Sequence, residues 1–124
     1  MEREGTFYSS FDWHPLSVQA ALANLRSIRK HKTQLLANVA AMSDYFHTRL
    51  SQIKFQSAPA IRIQGLAIAL QFKKPRAVSQ LLEKTQKRRL LLTNTGDSTL
   101  LILPALNIDR KTARKGLDIL ASCA

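Results

Sequence analysis

The chain has 124 residues, 45% of them hydrophobic, with four glycines and four prolines; this is enough for one core and too apolar for a disordered or fibrous protein. Nineteen Lys and Arg against eight Asp and Glu give a formal net charge of +11, which favours encounters with polyanions but specifies neither a fold nor a partner. No apolar run approaches the ~18 residues of a membrane span, the charged start Met1-Glu2-Arg3-Glu4 is unlike a secretory leader, and Cys123 has no partner within the chain. A cytoplasmic protein in a reducing compartment, without a membrane partner, is expected.

Residues 1–14 carry the aromatics Phe7, Tyr8, Phe11 and Trp13 with no clear period. They either cap the domain's own core or belong at an interface with another chain. From there Val18, Ala21, Leu22, Leu25 and Ile28 recur at helical spacing, so residues 15–29 read as an amphipathic helix with Pro15 in its first turn. A polar break, Arg29-Lys30-His31-Lys32-Thr33, follows, and Thr33 is placed to cap the next helix. That second helix carries the strongest stripe in the chain: Leu35, Val39, Met42, Phe46, Leu50 and Ile53, three or four residues apart.

After Ser57-Ala58-Pro59 the period changes. Residues 61–72 are almost continuously apolar, with Leu66, Ile68, Leu70 and Phe72 alternating against Gly65, Ala67 and Ala69. They read as a buried strand with one large and one small face. Pro75 opens a third helix with Val78, Leu81 and Leu82 inward, ending near Arg88-Arg89. Residues 90–93 and 99–103 read as two short strands about Asn94-Thr95-Gly96-Asp97, whose turn residues favour a hairpin. Asp109 is placed to cap a final helix carrying Ala113, Leu117 and Leu120. The order predicts an α+β, two-layer domain with helices packed on a small, mainly antiparallel sheet.

Little in this pattern points to independent chemistry. His14, His31 and His47 are scattered and there is one cysteine, so no metal site is expected. Ser9, Ser10, Asp12 and His14 are the residue types of a hydrolytic triad, but crowding on one short segment is not triad geometry. The basic residues fall in four clusters, 26–32, 73–76, 84–89 and 110–115, at helix ends or on polar faces where solvated side chains are ordinary. No known nucleic-acid-binding signature accompanies them, so nucleic acid is not an expected partner; charge alone supports the alternative of a stand-alone basic module binding an anion or nucleic acid. A purely structural or interaction domain is the other alternative.

The residues do suggest a family. Gly5-Thr6-Phe7, then His14-Pro15-Leu16-Ser17-Val18-Gln19-Ala20-Ala21-Leu22-Ala23, Arg62-x-x-Gly65-Leu66 and Leu103-Pro104-Ala105-Leu106, in this order and with a closing helix, resemble the C-terminal part of class III pyridoxal-phosphate aminotransferases, the group acting on acetylornithine, ornithine and 4-aminobutyrate. The resemblance spans essentially the whole chain. It implies the C-terminal small domain of fold-type I pyridoxal-phosphate enzymes over residues 15–124, preceded by an interface and cofactor-phosphate segment over residues 1–14. Thr6 matches the family threonine that reaches the cofactor phosphate of the neighbouring subunit, and is the one cofactor residue carried over.

Two departures matter. The glycine expected after Arg62 is Ile63, and the position where many members carry a carboxylate-pairing arginine is Leu101, so a bidentate clamp is missing there. The family's Schiff-base lysine, its pyridine-pairing aspartate and its glycine-rich phosphate loop lie upstream of the matching region. No catalytic residue is therefore assigned. The resemblance implies a C-terminal domain or truncated copy of an amino-group-transferring enzyme, inactive alone, whose pyridoxal phosphate is not held by this chain by itself. The expected partner is a second copy, as in the family's dimers, or a missing large domain.

Overall fold

The computed structural model describes residues 13–124, and the chain divides into two compact units, Met1–Lys32 and Thr33–Ala124. The described part of the first unit is essentially one helix, α1 (Pro15–Lys30). Pro15 suits its first position because no helix carbonyl is available there to receive an N–H, and the His14 carbonyl accepts from Val18 N at 3.0 Å. Arg29 and Lys30 lie in the last turn, where cations complement the helix dipole. The predicted apolar stripe is present, yet no residue of α1 is buried, and Leu25 is 60% exposed. The break before the next helix is His31 alone, at φ −108° and ψ 17°. Helix α2 (Lys32–Ser51) begins immediately after it, so Thr33 lies inside the first turn rather than at the expected cap.

The second unit holds the core. Met42, Phe46 and Leu50 of α2 are buried, with Val39 and Ile53 packed against the same cluster. The long apolar run is a correction: it is two strands, β1 (Ala60–Gln64) and β2 (Ala67–Gln71), paired antiparallel with Gln64 opposite Ala67. Gly65, at φ +59°, takes the first central position of the two-residue turn, the place where a type II′ hairpin requires glycine. Leu66 fills the second position and is buried. A side chain at residue 65 would put its Cβ 3.1 Å from Val39 Cγ1, so the turn lies close against α2. The large and small alternation survives the turn because pairing places facing residues on one side of the sheet.

Helix α3 (Pro75–Lys87) buries Val78, Leu81 and Thr85. It ends in a Schellman motif: Leu90 N donates to Thr85 O at 2.9 Å and Arg89 N to Gln86 O at 2.9 Å, with Arg89 left-handed at φ +61°. This exit shifts the next strand. The Leu90 N–H is spent on the helix end, so β3 spans Thr93–Thr95 rather than the predicted 90–93. The hairpin itself is as expected, with β4 (Thr99–Ile102) antiparallel to β3. Helix α4 (Arg110–Cys123) buries Ala113, Leu117, Leu120 and Cys123. Its cap is the predicted one: Asp109 Oδ1 accepts from Thr112 N at 2.7 Å and Oδ2 accepts from Thr112 Oγ1 at 2.9 Å.

The four strands form one antiparallel sheet in the order β1-β2-β4-β3. Ile68, Leu70, Leu100 and Ile102 turn one face toward α2, α3 and α4, and all belong to a single cluster. The fold is α+β, as the order of elements predicts. Two polar ties join α2 to the α4 end. Arg49 Nη2 pairs with Asp118 Oδ1 at 2.6 Å, and the Arg110 guanidinium lies 4.7 Å from the Tyr45 ring centre.

Candidate functional site

Strand pairing brings together two positions that are 39 apart in sequence. Arg62 faces Ala69, Ala69 faces Leu101, and Leu101 faces Thr93, so these four side chains form one row across the sheet face turned away from the core. Arg62 and Leu101 are separated by two strand spacings, about 10 Å at the backbone. Arg62 is exposed and Leu101 half-buried. With Gln64, Ala67 and Leu103 they line a shallow cavity of about 270 Å³, in which Arg62 is the charged group.

Leu101 and Leu103 also border a second cavity of about 410 Å³, with Leu91, Leu92, Pro104 and Ile108 on one side and Ala113 and Leu117 of α4 on the other. Thr93 and Thr112 are the polar side chains in its lining. It offers apolar contact and two hydroxyls, but neither an acid, a base nor an activated nucleophile. The loop over residues 103–109, which carries Pro104, is tied down by Asn38: its Nδ2 donates to Leu106 O at 2.8 Å and to Ile108 O at 3.2 Å. Sequence reasoning passed over Asn38; its signal was an amide one residue before Val39 of the apolar stripe.

The described residues do not fit pyridoxal phosphate. A Schiff-base lysine needs burial or a neighbouring cation to release its proton. All nine lysines are exposed; Lys84 Nζ donates to Cys123 O at 3.1 Å and Lys87 Nζ pairs with Glu83 Oε1 at 2.7 Å. Thr6, the residue carried over to the cofactor phosphate, lies outside the described residues, as do Ser9, Ser10 and Asp12. His14, His31 and His47 are exposed, and among the described residues no three His, Cys, Asp or Glu side chains form a metal-holding group. The same holds for a membrane span: no described helix is long and apolar enough.

The shifted titrations are those of surface pairs. The hydrogen bond to Asp118 raises the Arg49 guanidinium. The hydrogen bond from Lys87 lowers the Glu83 carboxyl, and that from the Thr112 backbone lowers Asp109. These are the marks of caps and bridges rather than of acid–base machinery.

Residues 3–124 match the family model for aminotransferase class III. The chain belongs to the class III aminotransferases. Among curated relatives of this class III chain, the mitochondrial acetylornithine aminotransferase of Eremothecium gossypii is 34% identical over 120 residues, covering 95% of this chain and 27% of that protein. The acetylornithine aminotransferase of Methanosarcina mazei is 29% identical over 116 residues, 94% of this chain and 28% of that protein. The class III chain thus spans little more than a quarter of the relatives it matches. A solved S-selective transaminase from Arthrobacter sp. superimposes with a TM-score of 0.75 at 19% identity, over 98% of this chain and 31% of that one, which shows the shared fold.

Proposed function

We propose that this chain is the C-terminal small domain of a class III aminotransferase and that it does not transfer amino groups by itself. Two observations support the reading together. The family match covers residues 3–124, while no lysine among them is withdrawn from water. Within such an enzyme the domain would contribute the open sheet face and the loop around Pro104. The lysine and the electron-sink cofactor would come from sequence outside these residues or from a partner chain. Thr6 would reach the cofactor phosphate of the neighbouring subunit, donating through its hydroxyl and backbone N–H. A homodimer and a cytoplasmic setting complete the proposal, with residues 1–14 as the interface segment.

The missing guanidinium at Leu101 bears on the substrate. An α-amino-acid carboxylate would find leucine there, so an amine lacking that carboxylate, or one clamped elsewhere, suits the face better. The test is to treat the purified chain with pyridoxal phosphate, reduce with borohydride and map the modified lysines. Partial labelling spread over several exposed lysines, with no amino transfer from acetylornithine to a 2-oxo acid, is expected. Saturating labelling of one lysine would overturn the proposal.

A further inference from the structure

Two basic clusters that are separate in sequence meet in the fold. Arg88, from the end of α3, and Lys111, Arg114 and Lys115, from the first turns of α4, line one concave surface of about 910 Å³. Lys111 lies three and four residues from Arg114 and Lys115, which stacks the three on one helix face. Two carboxylates share the lining, and both are occupied. Asp109 accepts from Thr112 N and Oγ1, and Asp118 is paired with Arg49. Arg88 Nη1 donates to Ser122 Oγ at 2.8 Å, holding that guanidinium at the rim. Among the described residues none of these four cations makes an ion pair; the pairs are Arg49–Asp118 and Lys87–Glu83.

The fold accounts for only part of this charge. Lys111 is in the first turn of α4, at the positive end of the helix dipole, where the one carboxylate is the cap Asp109 and the turn itself has no acidic residue. Arg110 beside it has a local partner in the Tyr45 ring; Lys111 has the nearby Asp109 carboxylate as a charge neighbour but makes no ion pair among the described residues. The groove contains no aromatic side chain on which an unpaired base could stack, and Ile119 is its one large apolar residue. Stacking of single strands and insertion into a lipid surface therefore lack their usual contacts. A convex array of phosphates is what the surface complements.

We propose that this groove binds the phosphate backbone of duplex nucleic acid without reading its sequence. The inference is independent of the aminotransferase reading. Its test is fluorescence anisotropy of a labelled DNA duplex of random sequence titrated with the full chain over a range of salt. Four phosphate contacts predict a log–log slope of roughly −3.6, on the order of a hundredfold loss of affinity for a fourfold rise in salt. The variant K111E/R114E/K115E should weaken binding at least roughly tenfold at low salt while keeping its helical circular dichroism. The control K73E/K74E/R76E changes the net charge equally, at exposed residues outside the groove, and should bind nearly as the parent does. If reversal disturbs the fold, the milder K111Q/R114Q/K115Q should show the same ranking against K73Q/K74Q/R76Q. Equal loss in the groove and control variants would overturn the proposal, as would tighter binding of a single strand of the same length. Binding of anionic phospholipid vesicles in place of the duplex would overturn it too.

Discussion

Arg89 occupies a backbone conformation that costs a non-glycine residue about 1–2 kcal/mol, at the position of a Schellman motif where glycine is preferred. The two backbone hydrogen bonds of the motif would be kept by glycine, and the Arg89 side chain is exposed. Arg89→Gly is expected to stabilise the chain by about 1 kcal/mol, a rise of a few degrees in Tm, and Arg89→Ala to give no such gain; thermal melts followed by circular dichroism check both. Asp109 supplies a pH-dependent counterpart. The Thr112 backbone holds its folded carboxyl below the ordinary range, so its stabilisation is present above the unfolded value of about 3.9. That contribution is lost as pH falls through the lower folded value. Asp109→Ala should lower Tm at neutral pH, with the gap to the parent closing as the medium is acidified through that window. Melts repeated from about pH 6 to about pH 3 measure it.

At the scale of elements, helices were the legible part. The stripes over α2, α3 and α4 name most of the buried residues, because a 3.6-residue period carries through to packing; Thr85 and Cys123 are buried outside the expected sets, and Leu82 is only half-buried. The strands were less so, for two physical reasons. Leu66 is apolar and buried although it sits in a turn, so the turn shows no polar pair between its strands and the hairpin is hidden behind one glycine. Leu90 to Leu92 look like a strand, but the α3 exit consumes the Leu90 N–H. Gly65→Ala tests the hidden turn. It must adopt φ +59° and displace Val39, and should cost more than the ~1–2 kcal/mol of the backbone alone. Gly96→Ala, with open space around its Cβ, should pay only the backbone part. In the core, Leu120→Ala at a fully buried position should cost about 2–5 kcal/mol by denaturant unfolding.

For the whole molecule, family membership was readable from motifs in order along the chain, whereas the site was only half readable. Leu101 stood out as a departure in the sequence, but its place in one row with Arg62 follows from the strand order β1-β2-β4-β3. Likewise the four basic clusters look separate until α3 and α4 bring two of them to one groove. The unburied stripe of α1, together with exposed Leu91 and Leu103, predicts association with further protein. Sedimentation velocity at rising concentration should show a dimer displacing monomer, and a monomer throughout would count against the dimer.

The sheet decides how such copies meet. Its edge strands are β1, whose centre is the charged Arg62, and β3, only three residues long. A short edge and a charged edge both discourage a neighbouring chain from adding its own strand. Assembly through side-chain faces is left as the open route, so crowding this protein should yield discrete oligomers rather than cross-β fibrils.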